Sequence, residues 1–385
     1  MKKKILSKSV VVVAALLAAS VMPATVNAAV TIANKDVGGQ KLKVKLFGYS
    51  QLTAESGNGL GRSANDEKNG LRFGADRVRL GYKISLGKVF SKLQIDFKKT
   101  GSSSNPGQLA EIIKDAVVGY KFDKAASLSL GQFKTPVGMD FNSSGAKLDI
   151  TKRGMEKKLV LERSAGAMLS GRKIGGVFGY DIGIFNPATR SAAVGDPDSL
   201  KSSSTEYGAP GNDYAYALRG MVDWQKLHIE VSYGQSGEAA GSKYTPGTKD
   251  ADYSVWDIGA RYKLNNLTLK GEYIAGNDVK GVNGQDETVW YLHAGYRFLP
   301  MVEGVVRHYQ AKYEKGSVTA DLGNTYLGLN IFFNPSSIYQ ARLQLDYVIA
   351  SGDDGWDANS YVKQSGVVTK GYADNVILLQ FQVGF

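Results

Sequence analysis

The chain has 385 residues, with no cysteine, 46 glycines, 9 prolines, 21 tyrosines and a formal charge of +11. The lack of cysteine excludes a disulfide scaffold and thiolate metal sites. A mean hydropathy of −0.21 excludes a bundle of membrane helices, but it suits a barrel whose strands turn every second residue toward water.

The first segment reads as an export signal. Lys2, Lys3, Lys4 and Lys8 supply positive charge, Val10–Ala19 is unbroken apolar sequence, Pro23 ends it, and Val26-Asn27-Ala28 offers a cleavage site. The apolar run is too short to span ~30 Å of hydrocarbon. Residues 1–28 are therefore expected to be removed, leaving 29–385 as a single barrel domain with a charge of +7. Nothing downstream approaches 18 consecutive apolar residues, so no transmembrane helix is predicted.

Strand-like segments then recur every 15–25 residues from Lys43 to Phe385. In Arg77–Ser85, Val78, Leu80, Tyr82 and Ile84 alternate with Arg77, Arg79, Gly81 and Lys83. In Lys92–Lys98, Leu93, Ile95 and Phe97 alternate with Lys92, Gln94, Asp96 and Lys98. Thr288–Phe298 sets Trp290, Leu292, Ala294, Tyr296 and Phe298 against Tyr291, His293, Gly295 and Arg297. Period-2 alternation with charge on one face describes strands that are greasy outside and polar inside. About fifteen or sixteen can be counted, depending on whether Lys158–Arg172 holds one. An even sixteen fits a transmembrane antiparallel β-barrel of this length. Continuous apolar runs, the mark of a doubly wound α/β sheet, are absent.

The connections alternate in length. Short junctions stand at Leu264-Asn265-Asn266, Leu299-Pro300 and Phe333–Ser336. Long Gly-, Ser- and Asp-rich ones stand at Gly57–Gly70, Ser191–Asp213, Gly237–Asp252, Asn277–Glu287 and Ser351–Asp374. Short turns on the periplasmic side and long loops outside are what such barrels show. The chain closes on Ile377, Leu379, Phe381, Val383 and Phe385, all apolar and two apart. This ending resembles the terminal strand of bacterial outer-membrane barrels, whose last aromatic residue is read by the barrel assembly machinery. Phe385 and Phe381 are the expected assembly signal, and the closing strand is expected to pair with Lys43–Thr53.

Several motifs together resemble the phosphate-selective porins O and P. They are Arg77-Val78-Arg79-Leu80-Gly81-Tyr82, Leu93-Gln94-Ile95-Asp96-Phe97, Asp115–Tyr120, Leu130-Gly131-Gln132-Phe133-Lys134-Thr135-Pro136-Val137-Gly138, Tyr180–Asn186 and Leu327–Asn330. The resemblance implies a homotrimer of sixteen-stranded barrels in the outer membrane of a Gram-negative bacterium. It also implies an aqueous pore narrowed by an infolded loop after the fifth strand, and a preference for anions. That loop would run from about Thr135 to Lys158, and it is basic: Lys134, Lys147, Lys152, Arg153, Lys157 and Lys158 face Asp140, Asp149 and Glu156. Fixed cations in a narrow passage concentrate anions, and guanidinium matches oxyanions in a fork. Arg77, Arg79, Lys83, Lys92 and Lys98 are further lumen candidates, with Arg297 and Arg342 on later strands. Asp96 and Asp346 share those faces and work against anions. The same basic residues could instead form a solvated face meeting lipopolysaccharide phosphates.

Other constellations carry less. His228, His293 and His308 sit on separate strands without metal-ligand spacing, and no serine has the context of a nucleophile. Gly57-Asn58-Gly59-Leu60-Gly61 lacks the βαβ unit of a dinucleotide site. Ser351–Asp357 is acidic but lacks the terminal glutamate of an EF-hand loop. No cofactor and no nucleic-acid partner are expected. The expected function is passive diffusion of small hydrophilic solutes, with anionic, phosphate-like oxyanions preferred. A general non-selective porin, a barrel enzyme and a surface adhesin are the alternatives.

Overall fold

The computed structural model describes residues 29–57, 70–98, 112–186, 214–237, 252–352, 371–372 and 374–385. The export segment and most long connections, with their Gly57–Gly61 and Ser351–Asp357 motifs, lie wholly or largely outside those residues. The strands are β1 (Val30–Val37), β2 (Gln40–Gly57), β3 (Gly70–Leu86), β4 (Val89–Asp96), β5 (Ile113–Lys121) and β6 (Ser127–Lys134). They continue with β7 (Arg163–Ile174), β8 (Phe178–Phe185), β9 (Ala215–Trp224), β10 (Leu227–Ser236), β11 (Tyr253–Leu264) and β12 (Leu267–Asn277). The last five are β13 (Gln285–Leu299), β14 (Val302–Lys315), β15 (Val318–Phe332), β16 (Ala341–Gly352) and β17 (Val376–Gly384).

From β2 to β17 each strand pairs antiparallel with the next, and β17 closes the ring on β2, with Gln380 opposite Thr53 and Gly384 opposite Tyr49. The fold is thus a closed sixteen-stranded antiparallel barrel. Alternation sorts its faces. On β13, Tyr291 and His293 are buried inside while Leu292 is 63% exposed outside. Leu52, Phe73, Ile182, Ile258 and Val306 extend this apolar outer belt around the ring. Closure leaves no free edge among the sixteen strands of the ring, the condition for backbone to cross hydrocarbon.

Two features depart from the expected pattern. β1 was not foreseen. It pairs with Gln40–Leu46 of β2, along the edge that β17 occupies higher up, so β1 and β17 lie end to end on one partner. The junction between β14 and β15 is short although it belongs to the end with the long loops. Gly316 supplies a positive φ of 59° for a two-residue turn, and β15 begins directly after it at Val318. Its early residues Ala320, Leu322 and Asn324 are buried against the interior.

The interior is not empty. The segment between β6 and β7, the fifth and sixth strands of the ring, lies across the inner face. It holds α1 (Met139–Asn142) and two short 3-10 turns, Gly145–Lys147 and Met155–Lys158. Its apolar residues Val137, Phe141, Ile150, Met155, Leu159 and Val160 pack with Tyr253, Ile274, Val289, Tyr291, Tyr309 and Tyr326 of the wall in one buried cluster. A barrel with a polar lumen thereby gains a core where loop meets wall, on the side of β11–β15.

Candidate functional site

The loop is tied to the far wall largely by uncharged amides. Gln51 donates to the Gly145 carbonyl (2.9 Å), Gln382 to Ala146 (3.1 Å), Asn330 to Asp149 (3.0 Å) and Gln380 to Thr151 (2.8 Å). Gln344 donates to the Leu148 and Asp149 carbonyls at 3.3 and 3.2 Å. These side chains sit on β2, β15, β16 and β17, with Gln380 and Gln382 two residues apart on β17, and all face inward. In return the backbone N–H of Thr151 donates to Asp346 (2.7 Å), that of Asp140 to Glu272 (2.9 Å) and that of Gly138 to Ser232 (3.1 Å). Buried loop carbonyls need donors, and the barrel supplies them.

Three of the basic residues read as anion ligands serve the same purpose. Lys134 donates to the carbonyls of Phe141 and Ser143. Arg153 donates to the carbonyls of Asp140 and Ser143 and stands 3.5 Å from the Asp140 carboxylate. Arg342, 1% exposed, donates to Leu148 (2.7 Å), Ala146 (3.1 Å) and the amide oxygen of Gln382 (3.1 Å). Lys152 pairs with Glu55, and Lys157 lies 3.8 Å from Glu162. Lys158 is half-buried, with no ion pair among the described residues. Arg77 bonds Gln51, and Arg297 lies over the Phe332 ring at 5.0 Å. Lys98 falls outside the expected strand: β4 ends at Asp96, and Lys98 occupies the turn beyond it, its backbone N–H directed at the Asp96 carboxylate.

The loop also carries acids whose ionisation is shifted. Burial, with Asp140 close by, pushes the Glu156 carboxyl up to about 7. Neither of its oxygens has a hydrogen-bond partner among the described residues. Burial also opposes the charge of Asp149, yet Lys270, His293 and Arg307 hold that carboxyl far below the ordinary range. The bond from Lys270 is 2.5 Å and that from Arg307 2.9 Å.

Because the loop packs toward β11–β15, space remains against the wall of β2–β7. A cavity of about 970 Å³ opens there, at the end of the barrel with the short turns, beside Phe385. The pairing register lays out its floor as rows running across β2, β3, β4 and β5. The first row reads Lys43, Ser85, Phe90, Gly119; the second Lys45, Lys83, Lys92, Val117; the third Phe47, Gly81, Gln94, Asp115. Tyr49, Arg79 and Asp96 begin a fourth. Lys134, Lys147 and Arg163 complete the basic lining, which makes, among the described residues, eight cations against the single acid Asp115. Asp115 is held by Lys92 and by Arg163 (2.9 Å). No carboxylate among the described residues pairs with Lys43, Lys45, Lys83 or Lys147. Three lysines set directly opposite one another are destabilising in an isolated sheet.

The structure therefore gathers Arg79, Lys83, Lys92, Lys134 and Lys147 around one cavity and leaves Lys152, Arg153, Lys157 and Lys158 elsewhere. It adds Lys43, Lys45 and Arg163, which are not among the expected lumen residues. Lys43 and Lys45 fit the same inward alternation as Tyr49 and were open to the same argument. Arg163 was hidden because the start of β7 could not be fixed. The histidines stay apart: His228 contacts Asp223 and Glu230, His293 contacts Arg307, and His308 contacts Thr325. Among the described residues no group of three or more histidines and acids could hold a metal ion.

A ring of strands greasy outside, polar inside and partly filled by one loop is a channel rather than an enzyme scaffold. Residues 12–334 match the family of Gram-negative porins, and the chain belongs to that family. Solved structures of the same fold include the anion-selective porin from Comamonas acidovorans, 14% identical, covering 89% of this chain and 100% of that one, with a TM-score of 0.59. OmpF of Salmonella typhi in complex with daunomycin is 16% identical over 89% and 98% (TM-score 0.60). The trimer form of OmpT, an outer membrane protein of Vibrio cholerae, is 13% identical over 89% and 99% (TM-score 0.58). No curated protein matches the chain. As a Gram-negative porin, it forms a passive diffusion channel in the outer membrane.

Proposed function

We propose that this porin prefers small anions, phosphate-like oxyanions among them, and that the basic cavity beside β2–β7 sets the preference. The observation that carries this reading is the lining of eight cations and one acid in a cavity of about 970 Å³. Charges of one sign around a confined aqueous space raise the local concentration of the opposite ion. Lys43, Lys45, Lys83 and Lys147 supply the attraction; Lys134, Arg153 and Arg342 hold the loop that bounds the passage. The fold shared with an anion-selective porin is in keeping with this. The export segment 1–28 is removed, the mature chain assembles as a homotrimer, and Phe385 with Phe381 marks the last strand for the assembly machinery. Basic residues at the outer rim meet lipopolysaccharide. The test is the reversal potential of the refolded protein in a planar bilayer under a potassium chloride gradient, with phosphate then replacing chloride. An anion-preferring potential is expected; a cation-preferring one overturns the proposal, and a potential near zero identifies a general porin.

A further inference from the structure

Inside the cavity two phenylalanine side chains face a passage that should be wet. Phe47 lies opposite Gly81 and Phe90 opposite Gly119, on inward-facing positions. Each ring lies on its glycine: a β-carbon at Gly81 would stand 2.6 Å from Phe47 Cζ, and one at Gly119 2.2 Å from Phe90 Cζ. One face of each ring covers the wall, and both side chains remain partly exposed. Apolar surface turned into an aqueous lumen is unfavourable unless something apolar meets it. Between the two rings runs the lysine row of Lys45, Lys83 and Lys92, with Lys83 Nζ 5.4 Å from the centre of the Phe47 ring.

We infer that this cavity binds carboxylates that carry an aromatic ring, the ring against Phe47 or Phe90 and the carboxylate on the lysine row. The inference rests on the anion-channel reading above and names a substrate class for the same cavity. Neighbouring rows are two residues apart along a strand, roughly 6.7 Å. That separation matches a ring joined to its carboxylate directly or by a short chain, given the reach of a lysine side chain. Lysine is also the suitable cation. Its ammonium is a mobile point charge that accepts a carboxylate in many orientations, whereas a fixed guanidinium fork would select one. Offset stacking against Phe47 or Phe90 then discriminates among anions of equal charge. Inorganic phosphate gains nothing from the rings.

The experiment measures how 3-phenylpropionate, propionate and inorganic phosphate each reduce the single-channel chloride current of the full-length mature protein in a planar bilayer. The half-blocking concentration of 3-phenylpropionate is expected to be at least ten-fold below that of propionate. The variants F47L and F90L keep an apolar cover over each glycine and remove the ring. Each should lower that ratio at least three-fold, and K83Q should weaken both carboxylates alike. Gel mobility of the unheated protein reports that each variant folds, and the wild-type comparison needs no variant. Equal block by the two carboxylates, or a ratio untouched in F47L, F90L and the double variant, overturns the inference. Either result with an anion-preferring reversal potential leaves the anion channel standing; a cation-preferring potential removes that reading instead.

Discussion

Replacing Lys83 with glutamine removes one charge from the middle of the lysine row and should cost the channel selectivity in a salt-dependent way. A sphere of about 970 Å³ has a radius of about 6 Å, so an ammonium on the wall acts on an ion at the centre from roughly 7 Å. In water that interaction is about 0.6 kcal/mol, close to RT, favourable for chloride and equally unfavourable for potassium. At 0.1 M salt the Debye length of ~10 Å halves it, and at 1 M, where the length is ~3 Å, it nearly vanishes. The chloride-to-potassium permeability ratio of K83Q should therefore fall about five-fold at 0.01 M, about three-fold at 0.1 M and scarcely at 1 M. Reversal potentials across salt gradients at these three strengths measure it. The electrostatic account would be refuted by an unchanged ratio at 0.01 M, or by an equal loss at 1 M, which would point to altered pore geometry.

Arg342→Ala removes three hydrogen bonds from a buried guanidinium and leaves the Ala146 and Leu148 carbonyls without it. Bonds to charged groups contribute roughly 1.5–3 kcal/mol each, and lumen water recovers part, so a loss of about 2–4 kcal/mol is expected. It would register as a lower melting temperature and a noisier open-channel current; a quiet channel of normal stability would contradict the anchoring role. Glu156 gives a pH dependence of definite sign. Its folded carboxyl titrates near 7 and its unfolded one near 4.5, so its contribution is fully present below 4.5 and lost as pH rises through 7. The difference corresponds to about 3 kcal/mol, so wild type should melt higher at pH 5 than at pH 8, and Glu156→Gln should flatten that slope. An identical slope in the variant would show that another group dominates. Deleting Phe385 removes the paired backbone bonds to Gly48, at 3.0 and 2.9 Å, that fasten the last residue to β2. Less folded barrel should reach the outer membrane, measured as the heat-modifiable band; an undiminished band would free Phe385 of an assembly role.

The barrel was legible because strand alternation is a local property. β13 could be sorted from Trp290 to Phe298 without any knowledge of its neighbours, and its outer and inner residues fall where the period-2 pattern puts them. The closing strand was equally plain, although it takes Tyr49–Gly57 rather than the earlier half of β2. The early part of β2 instead pairs with β1, whose Asn34-Lys35-Asp36 interrupts apolar alternation. The interior was harder. A lysine on an inward face looks the same in sequence whether it points into water, as Lys83 does, or caps a buried carbonyl, as Lys134 does. The distinction depends on where the loop comes to rest, hundreds of residues away from some of its partners. The most basic stretch, from Lys147 to Lys158, therefore stands out in sequence above Lys43 and Lys45. Their importance appears only when register sets Lys45 beside Lys83 and Lys92.

The amide tethers of the loop have a consequence for life in changing water. Gln51, Asn330, Gln344, Gln380 and Gln382 carry no net charge and neither titrate nor recruit counter-ions, so their share of the hold on the loop, beside that of Lys134, Arg153 and Arg342, is alike in brine and in dilute medium. The lysine row is the reverse, since its field swells and shrinks with the ionic strength around it. Aperture is thus less sensitive to salt than preference in the same tube. A change of salt outside would alter how strongly the channel sorts what enters more than how wide it stands.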